Sequence, residues 1–530
     1  MTTPVPVAPR GPVRRALARA DAAANWLYGW RLNPLYHTGA VTVALLAVLI
    51  GTGVYLLLFY RIGAPYASVA RIADQAWVGR WVRSLHRYAT DAAVVAIAVH
   101  ALRMYAQRRS WGPRVLAWTS GVILLGLLFV CGWTGYVLVW DVQAQLLAAQ
   151  GARLLDLLPI FSEPISRTFV GERPVGSAFF FINLFLHIAL PVGLGLLLWV
   201  HVSRVARPVL LPPRRLLWGM VGVLTAAAVL WPVAMAPEAD LLRIPRRVPV
   251  DALFAFWLPL AARLPAWALW AAGAAAALAL LLVPRFTRPR APERAAPSVV
   301  DEHRCTGCTQ CYHDCPFEAI SMVERSDGRA TLVARVDPDL CVSCGVCAGS
   351  CAPMSVGPPG RTGRDQLAAV KAFIAERRPG PRDVVLLACR HGPVAGGAHA
   401  AELPEFHGAP VLPVQCAGSV HSSVVEYLVR SGAGGVLVLA CPPRDCVSRE
   451  GAVWSEQRLF HDREAELQAR VDRRRVRLAY AALAEPAVAL RALEEFRGAV
   501  HALDATVGED EIDLFALCDP PPVGEEEVTP

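Results

Sequence analysis

The sequence predicts a multi-domain chain: an all-α bundle of six membrane-spanning helices, then a compact α+β domain, then a small α/β domain. Three observations predict it. Long apolar runs are confined to roughly the first 285 of 530 residues. Charge divides at the same place: residues 1–300 carry 29 of 52 basic and 11 of 44 acidic side chains, net +18, and residues 301–530 carry 23 and 33, net −10. Thirteen of 14 cysteines follow residue 300, with Cys131 alone before it. A single soluble domain, a disulfide-stapled secreted protein and a disordered chain are thereby excluded.

Six segments, near residues 38–60, 87–105, 115–138, 178–203, 215–236 and 263–284, are apolar enough to cross a hydrocarbon layer, which takes about 20 helical residues. Residues 1–37 contain RRALARADAAANWLYGW, which has no cleavable signal pattern and suits an amphipathic surface arm with Trp26, Tyr28 and Trp30 at headgroup depth. Six spans place both ends of the bundle on one side. Counting span ends, the loops on that side hold 17 Arg and two acids, against 12 Arg and nine acids opposite. This favours both termini in the cytoplasm of a bacterial or archaeal inner membrane, where thiols stay reduced.

Residues 38–208 are expected to form a four-helix core and 209–285 two further spans. A Pro/Arg-rich linker follows at 286–300 (VPRFTRPRAPERAAP spans its start). The cysteine block occupies 301–357, and GPPGRTGR leads out of it. Residues 381–485 alternate short apolar runs (DVVLLAC, APVLPVQC, GGVLVLAC, RRVRLAY) with helical patterns, as an α/β domain does. Residues 486–530 are expected as an acidic C-terminal tail.

His86 and His100 lie 14 residues apart in one span, and His187 and His201 lie 14 apart in another. Fourteen residues are nearly four turns, so each pair projects from one helix face with about 21 Å between its members. Two such helices face to face can clamp two flat macrocycles, one near each membrane surface. Imidazole is an axial ligand for haem iron, and two per iron leave no position for oxygen, which suits electron transfer. Gly39 and Gly53, and Gly121 and Gly135, repeat the interval in neighbouring spans, where a missing Cβ would admit a porphyrin face. Arg83 and Arg103, three residues outside His86 and His100, suit haem propionates. The alternative is that the histidines are lone hydrogen-bonding groups and the glycines only pack helices.

RSLHRY with the HALR after it, FFFINLFLHIALPVGLGLLLWVH and GYVLVW resemble the cytochrome b of bc1 and b6f complexes over roughly residues 20–285. The resemblance implies a transmembrane cytochrome b bundle with two haem b groups, His86 and His187 on the outer-side haem, His100 and His201 on the cytoplasmic-side one. The sequence departs from that family at Val139, where its GYxLPW has proline. In RIPRRVPVDALFAFWLP the quinol-binding PEWY reads PVDA, with Val250 at the carboxylate position and Asp251 one place on. Arg207 and Arg214 stand where the family has polar groups of its inner quinone pocket. The implied haem ligation carries over; the outer quinol chemistry does not.

Cys305-x2-Cys308-x2-Cys311-x3-Cys315-Pro316 is followed by Cys341-x2-Cys344-x2-Cys347-x3-Cys351. Each tight CxxCxxC turn aims three thiolates at one cubane while the fourth cysteine reaches the other. One [4Fe–4S] would take Cys305, Cys308, Cys311 and Cys351, the second Cys341, Cys344, Cys347 and Cys315. Zinc would prefer separated CxxC pairs. The block resembles bacterial two-cluster ferredoxins, which implies a ferredoxin-like fold.

Cys389, Cys416 and Cys441 end predicted strands, with Cys446 close behind, so four thiols could meet at the carboxyl edge of a parallel sheet. The segment VQCAGSVHSSVVEYLVRSGAGGVLVLACPPRDCVSREG resembles the delta subunit of methyl-viologen-reducing hydrogenases, implying a [2Fe–2S] cluster on those four cysteines and a hydrogenase or heterodisulfide-reductase link. The sequence has CRHG where that family often has CxxC, with His391 a spare ligand; zinc, or plainly buried cysteines, are the alternatives. Cys131 and Cys518 are expected to be bystanders, and Tyr136 and Asn183 to serve packing.

The function expected is a quinone-linked electron-transfer subunit. Electrons would pass between the membrane quinone pool and a cytoplasmic flavin or iron–sulfur oxidoreductase (dehydrogenase, hydrogenase or heterodisulfide-reductase-like) docked on the C-terminal domain, with other membrane subunits a further partner class. A conduit without its own quinone site and an anchoring subunit are the rivals. Basic charge sits at membrane edges, so no nucleic-acid partner is expected.

Overall fold

The computed structural model describes residues 11–159, 163–169, 171, 174–243, 248, 251–288, 295–395, 405–461, 463 and 465–516. Two compact units make up the chain, one mainly residues 23–293 and the other mainly 294–530.

In the first unit, α1 (Pro12–Leu32) is broken at Gly29, whose φ of +70° a side chain would resist. Then follow α2 (Thr38–Phe59), α3 (Pro65–Asp74), α4 (Gly79–Ala106), α5 (Val115–Val137), α6 (Val142–Leu155), α7 (Ser177–Ser203), α8 (Arg214–Leu230), α9 (Leu258–Ala261) and α10 (Ala266–Thr287). Among the described residues five helices are long and apolar enough to cross a membrane: α2 with the turn before it, α4, α5, α7 and α10. The fifth expected span, 215–236, is shorter than its apolar run, because Pro232 disfavours helix at Trp231 and α8 stops at Leu230. At 17 residues α8 sits near the lower limit for crossing. The expected start at 87 for the second span is also late, since α4 begins at Gly79 and takes in His86.

The bundle is built from two close helix pairs, α2 with α4 and α5 with α7. Small residues let them approach: Ala89 and Ala93 of α4 are fully buried against Leu45 of α2. The short helices α3, α6 and α9 belong to loops rather than spans. Asp141 caps α6, accepting from the Ala144 N–H at 2.9 Å.

The second unit opens with the cysteine block. Here β1 (Val299–Val300) pairs with β4 (Val356–Gly357), and β2 (Ile320–Val323) with β3 (Val333–Val336), all antiparallel. Between them lie α11 (Gln310–Asp314) and α12 (Val346–Ser350). The two cysteine turns are near copies: positive φ falls at Gly307 and Thr309 in the first, and at Ser343 and Gly345 in the second.

Next, α13 (Gly363–Arg377) is set by a capping box between Thr362 and Asp365. It precedes a five-stranded sheet in the order β6 (Glu405–Phe406), β7 (Ala409–Val414), β5 (Val384–Cys389), β8 (Gly435–Ala440), β9 (Val476–Tyr480). All pairs are parallel except the β6–β7 edge. Strands β5 and β8 are buried at every position, because both faces are covered. Val385 and Leu387 meet Val370 of α13 and residues of α14 (Ser422–Arg430) and α15 (Gly451–Phe460). Val384, Leu386 and Ala388 meet Ala489, Leu493, Phe496 and Val500 of α16 (Pro486–Ala516).

Two expected boundaries are therefore corrected. The α/β domain begins at α13 rather than residue 381, since Val370 belongs to its core. Residues from 486 on begin as a helix sealing one sheet face rather than as a tail, because Ala489, Leu493, Phe496 and Val500 recur at helical spacing. Cys518 lies outside the described residues, as do Pro249 and Val250.

Candidate metal centres

All four membrane histidines face glycines in matched register. A Cβ placed on Gly39 would lie 3.1 Å from the His100 ring, on Gly53 3.4 Å from His86, on Gly121 3.4 Å from His201, and on Gly135 2.9 Å from His187. The repeated interval thus aligns α2 on α4 and α5 on α7, and the first neighbour of each glycine is an imidazole edge. Across the bundle the His86 and His187 ring centroids are 6.4 Å apart. Two imidazoles on one iron stand roughly 6 Å apart by centroid, given about 2 Å per metal–nitrogen bond. The separation fits a metal between them.

The residue before each glycine is a hydroxyl that the sequence argument missed. Thr52 Oγ1 lies 2.9 Å from His86 Nδ1, Ser120 Oγ 3.0 Å from His201 Nδ1, Thr134 Oγ1 3.1 Å from His187 Nδ1 and Thr38 Oγ1 3.4 Å from His100 Nδ1. Three of these hydroxyls donate their own proton along the helix: Thr52 to the Val48 carbonyl, Ser120 to Leu116 and Thr134 to Cys131. Their oxygens must therefore accept from Nδ1–H. That fixes the tautomer and leaves Nε2 with the lone pair a metal needs. The signal was available as Thr-Gly or Ser-Gly at 38, 52, 120 and 134. Cys131, expected as a bystander, also takes part through its backbone, its carbonyl accepting from His187 Nδ1 at 3.0 Å.

Arg83 donates to the Val233 carbonyl at 2.6 Å, and buried Arg103 stacks over Tyr36 at 5.0 Å. Asp251, with its side chain 8% exposed, anchors an unforeseen cluster. Its carboxylate accepts from Arg87, Tyr136, and the Leu253 and Phe254 N–H groups, while Arg87 also pairs with Asp91 at 2.6 Å. Phe254 lies so close on Gly132 that a Cβ there would come within 2.1 Å of its ring.

In the second unit, Cys305, Cys308, Cys311 and Cys351 line one cavity, the set expected for the first cubane. In the second set Ser298 bridges two sulfurs, its N–H to Cys341 at 3.4 Å and its hydroxyl with Cys347 at 3.3 Å, and the Ala319 N–H donates to Cys315 at 3.3 Å. Burial, then mutual repulsion among neighbours, raises the Cys311 and Cys344 thiols far above their ordinary range, and burial raises Cys347 to about 12. Such groups become thiolates at neutral pH only beside a bound cation.

Cys389 and Cys441 approach to 3.7 Å between sulfurs, about the 3.8 Å that two thiolates span on one tetrahedral metal. Their shared proton holds Cys441 well above the thiol range. Cys416 and Cys446 gather at the first residue of α15, where a Cβ on Gly451 would lie 2.4 Å and 3.6 Å from their sulfurs. The parallel strands bring all four to one sheet edge. None of the described cysteines forms a disulfide. Among the described residues no three His, Cys, Asp or Glu side chains converge on a single ion.

Comparison with known proteins matches the same three regions. Residues 25–207 match the family Cytochrome b/b6/petB, residues 304–353 the 4Fe-4S dicluster domain, and residues 384–504 the methyl-viologen-reducing hydrogenase, delta subunit. A "Menaquinol:cytochrome c reductase cytochrome b subunit" from Geobacillus thermodenitrificans is 26% identical over 190 residues, covering 33% of this chain and 84% of that protein. Among solved structures, "Hyperthermophilic respiratory Complex III" is matched at a TM-score of 0.39 and 18% identity, over 49% of this chain and 78% of that one. With several apolar helices and a cytochrome b region, the chain is a multi-pass membrane protein of electron transport, and its domains imply haem b and iron–sulfur clusters. One polypeptide thus joins a cytochrome b/b6 domain, a 4Fe–4S dicluster domain and a hydrogenase delta-subunit-like domain.

Proposed function

We propose that the chain is a di-haem iron–sulfur cytochrome b passing electrons between a cytoplasmic oxidoreductase and the membrane quinone pool. The observation that carries this reading is the quartet of imidazoles, each set by one glycine and one hydroxyl, with His86 facing His187 at 6.4 Å. His86 and His187 would hold the outer haem, His100 and His201 the cytoplasmic one. Cys305, Cys308, Cys311 and Cys351 would hold one [4Fe–4S], and Cys315, Cys341, Cys344 and Cys347 the other. Cys389, Cys416, Cys441 and Cys446 would hold a [2Fe–2S]. When bound, these groups supply one-electron carriers, while the chain's residues orient them and exclude water. The basic span ends support a cytoplasmic side for the clusters, and the menaquinol reductase relative supports a quinone as membrane partner.

Redox-poised EPR with optical spectra on the purified protein tests the reading. Two low-spin b haems, two [4Fe–4S] signals and one [2Fe–2S] signal are expected. Stoichiometric zinc in place of the last would overturn that assignment.

A second reading, a conduit lacking its own outer quinone site, is favoured by Asp251. Its carboxylate is committed to Arg87, Tyr136 and two N–H groups, and Phe254 fills the space on Gly132. Reduction of a quinone analogue by the purified protein, unaltered in Asp251→Asn, would exclude an outer site that depends on this carboxylate.

The Nδ1 partners give a further expectation. Thr52→Val should retain the outer haem but raise its potential, because Nδ1–H loses an acceptor and the ligand becomes less basic. Optical titration should read a shift of up to about tenfold in the reduction equilibrium. Thr134→Val should shift it by a similar amount, since a backbone carbonyl still accepts in each case, Leu49 for His86 and Cys131 for His187.

A further inference from the structure

Resting on the cluster assignment above, we propose that Arg458 is the positioning residue of the junction between the Cys315/Cys341/Cys344/Cys347 cluster and the Cys389/Cys416/Cys441/Cys446 centre, and that its fixed charge sets the potential of that cluster. Electrons would then cross the soluble half in the order α/β centre, this cluster, and the Cys305/Cys308/Cys311/Cys351 cluster.

Arg458 is 2% exposed, on the last turns of α15. Its Nη1 donates to the Val346 carbonyl at 3.3 Å and to Ser350 Oγ at 2.8 Å, and its Nη2 donates to the Gly418 carbonyl. Val346 immediately precedes Cys347, and Gly418 is two residues past Cys416. One planar fork therefore joins the backbones that present a ligand of each centre. Gly349 makes room for it: a Cβ there would lie 2.7 Å from both Nη1 and the Gly418 carbonyl. The same helix begins at Gly451 against Cys416, so α15 touches one centre with its first residue and the other with Arg458.

Other contacts of the junction also reach the second cluster. Arg449 donates to the carbonyl of Pro316, the neighbour of Cys315, at 3.0 Å. The Ser419 side chain lies where a Cβ on Gly345, beside Cys344, would come within 3.1 Å of it. The first cluster's set is reached through the Cys351 carbonyl, which accepts from His421 Nε2 at 3.1 Å, through Ser350 beside Cys351, and through Gln310, whose side chain accepts from Arg463 at 2.6 Å.

Charge makes the fork more than a brace. Asp314, the buried acid nearby, pairs with Arg463 at 2.6 Å and accepts from Ser350. Arg361 is bonded to Ser343 on the far side of the turn. Arg458 itself bonds carbonyls and a hydroxyl, so its burial is offset by the field of Asp314 and by the negative charge that the thiolate-bound clusters would carry. A cation fixed there favours the reduced, more negative cluster.

The test is potentiometric EPR on the full chain, with Arg458→Met and Arg458→Lys. Cys344→Ser identifies which cubane signal belongs to the second cluster. In Arg458→Met that signal should move to lower potential by roughly tenfold in its reduction equilibrium, 59 mV for one electron. The other cubane should move less, and Arg458→Lys should restore most of the shift. Intact clusters with unmoved potentials, or both cubanes moving equally, would overturn the proposal. If Arg458→Met fails to assemble, the unaltered protein decides: reducing the second cluster should hasten spin relaxation of the α/β centre, an effect lost in Cys344→Ser, and no enhancement refutes the junction. Missing [4Fe–4S] signals in the unaltered protein would instead refute the cluster assignment.

Discussion

His187→Ala should remove the same haem that His86→Ala removes, and leave the other in place. Each variant should carry one haem b per chain where the unaltered protein carries two, measured as pyridine haemochrome against protein. His100→Ala and His201→Ala should share the loss of the second. The reason is geometric. His86 and His187 sit on different helices with ring centroids 6.4 Å apart, so each faces the other across a gap the size of a metal. His100 and His201 lie about four turns further along the same helices. A bis-imidazole centre that loses one of its two ligands should not hold its haem, and the loss is visible in the optical spectrum. The double variant His86→Ala with His187→Ala should look like either single one. Two different spectral species lost by the two single substitutions would show that these rings do not share an iron, and the proposed circuit would lack its outer carrier.

Much of this arrangement was legible because its determinants are local and periodic. The 14-residue step between histidines, and its echo in the glycines, follows from helix geometry alone. The cysteine turns are equally local: positive φ at Gly307 and Gly345 is written by glycine, and the repeat carries it to Thr309 and Ser343. The strands ending in Cys389 and Cys441 read as continuous apolar runs because both sheet faces are covered. What escaped depends on contacts distant in sequence. The role of Thr52 exists only because α2 lies against α4, 34 residues on. Asp251 reads as a displaced family carboxylate until Arg87 and Tyr136, 164 and 115 residues away, are seen to bind it. Helix α16 looked like tail because its charged outer face masks the buried row Ala489, Leu493, Phe496 and Val500. The short span α8 was overestimated because hydropathy does not register the proline that ends it.

The glycines give the second large effect, with controls built into the same helices. Gly135→Val should abolish the outer haem, whereas Gly126→Val, nine residues earlier on α5, should leave both haems intact. Both changes put a β-branched residue in an apolar helix, so the intrinsic helix preference changes alike. Only the surroundings differ. A Cβ at Gly135 would lie 2.9 Å from the His187 ring, and one at Gly126 meets nothing within 4 Å. To make room the imidazole must swing, and Nε2 then leaves the line to His86. On α2 the same contrast exists between Gly53, which faces His86 at 3.4 Å, and Gly51, which is open. The distances also rank the severity: Gly135 first, then Gly39 at 3.1 Å, then Gly53 and Gly121, both at 3.4 Å, an ordinary contact. Haem content and the Soret spectrum of purified variants read this order directly. If Gly126→Val and Gly135→Val lost haem equally, the glycines would be serving helix packing in general, and the shared interval would have no bearing on the metal.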